Sequence, residues 1–361
     1  MNYKHYFSPA GLCTLLCASF VLLFSSSCKQ QLSADQDQSE ISQPATVTFS
    51  FASDQTKLTT VTDQSEDNTI QSLDIFAFKM VDAQSPQEYK LESYKHYSSS
   101  ELTDINALPF TTTTGKKRFC EIANAHELRF KGITTFSEFC DLTATLSKEE
   151  LKNFTMYGQQ DKDVAVTDAI TISLERFLAK VEVKSIKTKF SGGPYEDMKL
   201  SGCKLYLLNA HGAKLIHNGA ESLSPEVLNE GQYKAEDVAA TVQTGLIYDE
   251  ISSEIGETGY TTPHYLYAYS NETEDISNCT KLLLEATLDG VKYYYPILIN
   301  QTDYGFTSGV KGISRNKMYS YSIVISRPGS LEPNEPLVPG SLTVSLVVKP
   351  WEVLPTFDKE F

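Results

Sequence analysis

The stretch from Arg315 to Phe361, RNKMYSYSIVISRPGSLEPNEPLVPGSLTVSLVVKPWEVLPTFDKEF, constrains the fold more than any other part of the chain. Tyr319, Tyr321, Ile323 and Ile325 alternate with Ser320, Ser322 and Ser326. Further on, Leu342, Val344, Leu346 and Val348 alternate with Thr343, Ser345 and Lys349. Period two is the signature of a strand with one buried face, so two strands are expected here. Between them stand Pro328-Gly329, Pro333, Pro336 and Pro339-Gly340. Prolines at this density remove amide donors and fix φ, so the connector reads as extended and cannot be a central strand. The last strand can therefore swing away from its own body, and it completes either its own sheet or a neighbour's.

At 361 residues the chain exceeds the size at which one core usually stops growing, so two domains are expected, 45–175 and 176–361, the second including the region 328–361. Short β-type runs outnumber long amphipathic ones, which predicts a mainly β protein. ATVTFSFAS, with Val47, Phe49 and Phe51 on one face, reads as a first strand, and Leu73–Phe78 as the next. The loop between them is polar and acidic, with Lys57 the only basic residue between Lys29 and Lys79, which makes Lys57-Leu58 an accessible cleavage site. Phe119–Ile122 and Ile170–Leu174 read as strands. Phe136, Phe139 and Leu142 have helical spacing, and Ser147 with Glu150 reads as a capping box opening a second short helix. In the second half, Phe177–Lys184, Lys204–Leu208 and the Tyr265, Tyr267, Tyr269 run read as strands. In TKLLLEATLDGVKYYYPILIN, Asp289-Gly290 supplies the turn of a hairpin, and Pro296 places its strand at an edge or a bulge.

The first residues have the pattern of a secretory signal: Lys4 and His5, an apolar run from Leu12 to Phe24, then Ser25-Ser26-Ser27 before Cys28. The run is shorter than a bilayer span of roughly 20 residues. Small residues before a cysteine resemble the lipobox of bacterial lipoproteins, which predicts a signal peptide over 1–27, an acylated Cys28 (a palmitate-type anchor) and a polar tether over 28–44. Loss of Lys4 takes the net charge from −15 to −16. Such an acidic chain repels polyphosphates, which argues against nucleic acid as a partner.

Catalytic patterns are missing from the sequence. His126-Glu127 lacks the second histidine of a metalloprotease helix, Gly115-Lys116 lacks the upstream glycine of a phosphate loop, and no Gly-x-Ser-x-Gly elbow is present. The histidines at 96, 126, 211, 217 and 264 are scattered. The expectation is a non-enzyme with no cofactor and no metal. Cys120, Cys140, Cys203 and Cys279 match no zinc spacing; a Cys120–Cys140 disulfide and buried free thiols are both open. Tyr293–Tyr295 and the Tyr265 series could stack on sugars or pack across strands.

Five segments together resemble the fimbrillins, lipoprotein-derived (type V) pilins of Gram-negative anaerobes: ATVTFSF, KKRFCEIANA, ERFLAKVEV, GVKYYYPILIN, and the stretch from Arg315 through Val353. The resemblance implies two transthyretin-like β-sandwich domains and transport to the outer membrane. It also implies removal of the first strand by a protease, then donor-strand exchange, in which another subunit's C-terminal strand fills the groove. Carried over, the removed segment is Cys28 to about Lys57, and the donor is Ser341–Trp351. Burying Leu342, Val344, Leu346 and Val348 at about 1.5–3 kcal/mol each yields roughly 6–12 kcal/mol gross. The implied role is an adhesive fimbrial shaft subunit whose partners are copies of itself, other fimbrial subunits, a processing protease and a surface receptor. The loop after the first strand carries Lys57 where the family's best-known member has arginine, which keeps an anchor or accessory subunit as an alternative. A monomeric glycan-binding lipoprotein is a further one.

Overall fold

The computed structural model describes residues 42–51, 69–81, 88–102, 104, 107–126, 128–217, 226–241, 245–302, 304–306, 308–335, 337 and 342–351. Among these the chain is mainly β, as expected from its short alternating runs.

The first half contributes β1 (Pro44–Phe51), β2 (Ser72–Met80), β3 (Tyr89–Ser98), β4 (Leu108–Thr113), β5 (Gly115–Ala123), β6 (Thr143–Thr145), β7 (Met156–Val164), β8 (Thr167–Ile172) and β9 (Glu175–Arg176). The second contributes β10 (Leu178–Thr188), β11 (Ser201–Leu208), β12 (Ala210–His211), β13 (Ala213–Leu215), β14 (Val227–Leu228), β15 (Tyr248–Ile251), β16 (His264–Tyr269), β17 (Lys281–Leu288), β18 (Val291–Leu298), β19 (Lys317–Ile325) and β20 (Leu342–Pro350). Two short helices join them, α1 (Phe136–Cys140) and α2 (Ala235–Ala240).

In the first half, a three-stranded sheet ordered β4-β1-β8 faces a five-stranded sheet ordered β3-β2-β5-β7-β9. Val47, Phe49, Phe110, Phe119, Ile170 and Ile172 fill the layer between them. The other face of the five-stranded sheet is buried too, by Phe76 and Phe78 packed against Phe136 and Phe139 of α1. That double burial explains why β2 is apolar at successive positions from Ile75 to Phe78. In the second half, sheets ordered β16-β10-β19-β20 and β15-β11-β17-β18 enclose a core that includes Val181, Leu205, Leu284, Tyr321 and Ile323. The two halves are linked by the short β6–β13 ladder and by the Tyr269 hydroxyl, which donates to Glu149 at 2.9 Å.

The β17–β18 hairpin closes on Asp289 and Gly290, both at positive φ (51° and 73°), as the Asp-Gly pair requires. Pro296 lies on β18, an edge strand. Two expectations are corrected. The capping box belongs to α1, where Thr135 and Glu138 exchange hydrogen bonds, and not to Ser147 and Glu150. Residues Leu146–Lys148 make only one 3-10 turn, because Glu149 turns inward to accept from the Thr155 amide and the Tyr269 hydroxyl. Lys180 and Glu182, which alternate with Ala179, Val181 and Val183 along β10, are both buried. The rings of Tyr265 and Trp351 lie over the Lys180 ammonium at 4.4 and 5.6 Å and shield it from water.

Candidate functional site

The two strands singled out in the sequence, β1 and β20, occupy opposite kinds of position. β1 is the middle strand of its sheet, antiparallel to β4 from Pro44–Thr113 to Phe49–Leu108 and parallel to β8 from Thr46–Thr167 to Phe51–Ile172. Val47, Phe49 and Phe51 all point inward and are buried. The Phe49 ring meets Phe110 at 5.6 Å and Phe119 at 5.3 Å, both edge-on, an arrangement that favours the ring quadrupoles. Outside the strand, the Thr46 amide donates to the Val166 carbonyl at 3.0 Å and the Thr114 amide to Gln43 at 2.8 Å. Taking β1 away would leave β4 and β8 each with a bare backbone edge, on either side of a slot lined by aromatic and aliphatic side chains.

β5 carries a second feature beneath this slot. Glu121 lies on the same face of β5 as Phe119 and Ala123, which line the layer that β1 closes. It is wholly buried, and neither carboxyl oxygen has a hydrogen-bond partner. Burial alone pushes its pKa well above the ordinary 4.5. Nothing in the alternation of KKRFCEIANA distinguishes Glu121 from a solvent-facing glutamate.

β20 folds back on its own sheet, antiparallel to β19 from Lys317–Pro350 to Ile325–Leu342, and forms that sheet's edge. The inward positions Val344 and Leu346 are only half-buried, while Val348 is 44% exposed and its neighbour Val347 58%. Part of the connector is tied down: Ser330 exchanges backbone hydrogen bonds with Tyr294 of β18 at 2.8 and 2.9 Å.

Trp351 ends the strand in a different environment. It is buried, 6% exposed, in a socket built by both halves of the chain. Its amide donates to the Asn316 carbonyl at 2.9 Å, and its own carbonyl accepts from Arg176 Nη1 at 2.8 Å. The guanidinium also lies over the indole at 4.3 Å, with Phe154 and Tyr267 each at 5.7 Å. Arg176 is itself 0% exposed. Sequence reasoning named Trp351 as part of the strand but missed Arg176 and Asn316. The available signal was an isolated arginine in the ERFLAKVEV run.

Cys28, Lys57 and Leu58 lie outside the described residues. Cys120 and Cys140 are free thiols, Cys120 buried and Cys140 partly exposed, so of the two arrangements left open by the sequence the disulfide is not formed. Cys120 is buried on β5 and accepts from the Tyr157 hydroxyl at 3.6 Å; its burial pushes the thiol pKa far up, away from reactivity. Of the tyrosines considered for sugar stacking, Tyr267, Tyr269 and Tyr295 are buried in strand packing. A cavity of about 320 Å³ adjoins His126 and Glu149, whose nearest side-chain atoms are 3.8 Å apart. Among the described residues no cluster of three or more metal-ligating side chains occurs, and no helix is long and apolar enough to cross a membrane.

These strands and sheets define a mainly β protein built from β-sandwiches. Residues 45–188 match the family described as "Major fimbrial subunit protein (FimA)", so over that segment the chain is fimbrillin-like. Solved structures share the fold across nearly the whole chain. A fimbrilin (FimA) from Porphyromonas gingivalis is 18% identical, with a TM-score of 0.60, covering 86% of this chain and 99% of that one. A candidate cell adhesion protein from Parabacteroides distasonis is 17% identical, with a TM-score of 0.62, covering 88% and 98%. One from Bacteroides eggerthii is 18% identical, with a TM-score of 0.61, covering 86% and 96%. No curated protein matches the chain in sequence.

Proposed function

We propose that this chain is a structural subunit of a surface fimbrium, exported as a lipoprotein anchored through Cys28 to the outer membrane. Cleavage after Lys57 releases β1, and subunits then join by strand exchange, the tail of one filling the slot of the next. The domains 45–175 and 176–361 act as acceptor and donor bodies, and the fibre supports adhesion to another surface.

The observation that carries the reading is the position of β1. It is a central strand whose apolar face is entirely buried, yet it is followed in sequence by a polar loop containing a single basic residue. Its loss would expose apolar surface and two unpaired backbone edges at once, the condition under which an extended segment adds to a sheet. The family match over 45–188 and the fold likeness to a fimbrilin support the same reading.

Energetics add a restriction. Val344 and Leu346 are already half-buried in the closed chain. Transfer into a neighbour's slot therefore gains only part of the roughly 1.5–3 kcal/mol that full burial of each side chain yields, at most about a third for these two. With Val348 at 44% exposed, the three together gain about 2–3 kcal/mol gross. Backbone pairing on two edges in place of one supplies the rest of the driving force.

N-terminal sequencing of purified surface filaments tests the proposal, with Leu58 as the expected first residue. Cys28 as the first residue would shift the assignment to an anchor or accessory subunit, which Lys57 in place of the family's arginine keeps in view. Deletion of residues 341–361 is expected to abolish SDS-resistant ladders. Ladders that survived it would end the strand-exchange reading.

A further inference from the structure

We propose that Arg176 and Trp351 form a latch that holds the tail strand on its own sheet, and that a subunit releases its tail only when this contact opens. The inference rests on the strand-exchange reading for its consequence, though the latch itself is a property of the isolated chain.

β20 is weakly held along its length. It pairs on one side only, and its described side chains from 343 to 350 are half-buried or exposed. One residue later, Trp351 is buried against Phe154, Tyr267 and the stacked Arg176 guanidinium, and both of its backbone groups are hydrogen-bonded. Holding power is therefore concentrated at the far end of the strand. The side chains that grip it come from β9, β10, β16 and the segment before β7, so opening the latch disturbs both halves of the chain.

The contact is reciprocal. Arg176 is wholly buried, and a buried cation is tolerated only while it is hydrogen-bonded and covered. The Trp351 carbonyl accepts a charge-assisted bond from it, and the indole covers its face. When the tail leaves, the guanidinium loses this bond and this cover, keeping its 3.4 Å bond to Asn316 Oδ1, as Lys180 loses one of the rings above it. The body thus resists release at this point more than anywhere along β20. With Ser330 tied to β18, the swinging segment begins beyond it, and the Trp351 contact must break together with the β19–β20 ladder for it to move.

Trp351 is the only tryptophan in the chain, so its fluorescence reports the latch directly. In the mature chain before cleavage, emission is expected to be blue-shifted and shielded from acrylamide. Arg176→Met is expected to shift emission to the red and to raise quenching several-fold. Amide exchange over 342–350 should accelerate by roughly ten- to a hundredfold, the factor that loss of one charge-assisted bond and one buried cation–ring contact converts to, while β17 stays protected. Wild-type emission already red and freely quenched, or exchange over 342–350 unchanged in Arg176→Met, would overturn the latch. Trp351→Ala, which leaves the socket residues and the carbonyl bond to Arg176 in place and removes the ring, provides an exchange measurement if Arg176→Met does not fold: a smaller acceleration over 342–350 is expected, and unchanged exchange would overturn the latch. Ladder formation separates this inference from the reading beneath it. A variant that frees 342–350 and then polymerises faster supports both, whereas one that frees the strand and never polymerises supports the latch and counts against strand exchange.

Discussion

β1 and β20 carry nearly the same alternating pattern, TVTFSF against LTVSLVV, yet the fold treats them in opposite ways. β1 lies between two partners with its apolar face sealed, whereas β20 has one partner and its inward valines and leucine reach only partial cover. Alternation tells which side chains share a face. How completely that face is covered depends on what the rest of the chain places against it. In β1 the holding energy is spread over every inward residue; in β20 it collects at Trp351.

The sharpest way to break this comparison is Phe49→Ala. Removal of a fully buried ring that touches two others is expected to cost about 3–5 kcal/mol in denaturant unfolding, before any cleavage. A cost below about 1 kcal/mol would mean that β1 is not the sealed strand described here. Gly305→Ala probes the β20 side. A Cβ there would stand 2.6 Å from the Leu346 Cβ, on a backbone at φ +91°, so the loop must move off the tail. A loss of about 1–3 kcal/mol is expected, with faster exchange over 342–350.

Glu121 sharpens the comparison by pH. Its folded pKa lies above the ordinary 4.5, so the folded form keeps a proton that the unfolded chain gives up as pH rises. The stability it supports is complete below about pH 4.5 and falls as pH climbs toward the raised value. Along the rim of the same layer, the Lys117–Glu92 pair (2.9 Å) and the Lys162–Asp168 pair (3.0 Å) work in the opposite sense, since the Glu92 and Asp168 pKa values are lowered. Glu121→Gln is expected to remove the decline above about pH 4.5 and, at the alkaline end of it, to raise stability by about 1–3 kcal/mol relative to wild type. An unchanged slope would place a compensating group beside this carboxyl. The smallest effect belongs to Leu346→Ala, about 1 kcal/mol, because the side chain sits on an edge strand and is already partly in water. A loss as large as that of Phe49→Ala would erase the contrast between the strands.

Much of the fold was legible from residue order. β1, β2, β5, β10, the Asp289-Gly290 hairpin with Pro296 on its edge strand, and the existence of β19 and β20 as strands all follow from period two and turn chemistry, whereas the pairing of β20 with β19 was left open. The capping box was misplaced because Ser147 and Glu150 have the same spacing as Thr135 and Glu138. Only the inward turn of Glu149 toward Tyr269, 120 positions along the chain, decides between them. The state of Cys120 and Cys140 was likewise open, since spacing carries no information about whether two sulfurs face each other.

The chain by itself determined which segments are strands, which face of each is apolar, and that a proline-rich connector separates the last strand from its neighbour. These properties depend on local backbone sterics and on the side-chain period, which neighbours in sequence settle. Which strand is central and which is an edge, why Arg176 and Lys180 are buried beneath Trp351, and that Glu121 has no partner were decided only by tertiary structure. Burial and pairing are relations between residues far apart along the chain, and they exist only once the sheets have closed on one another.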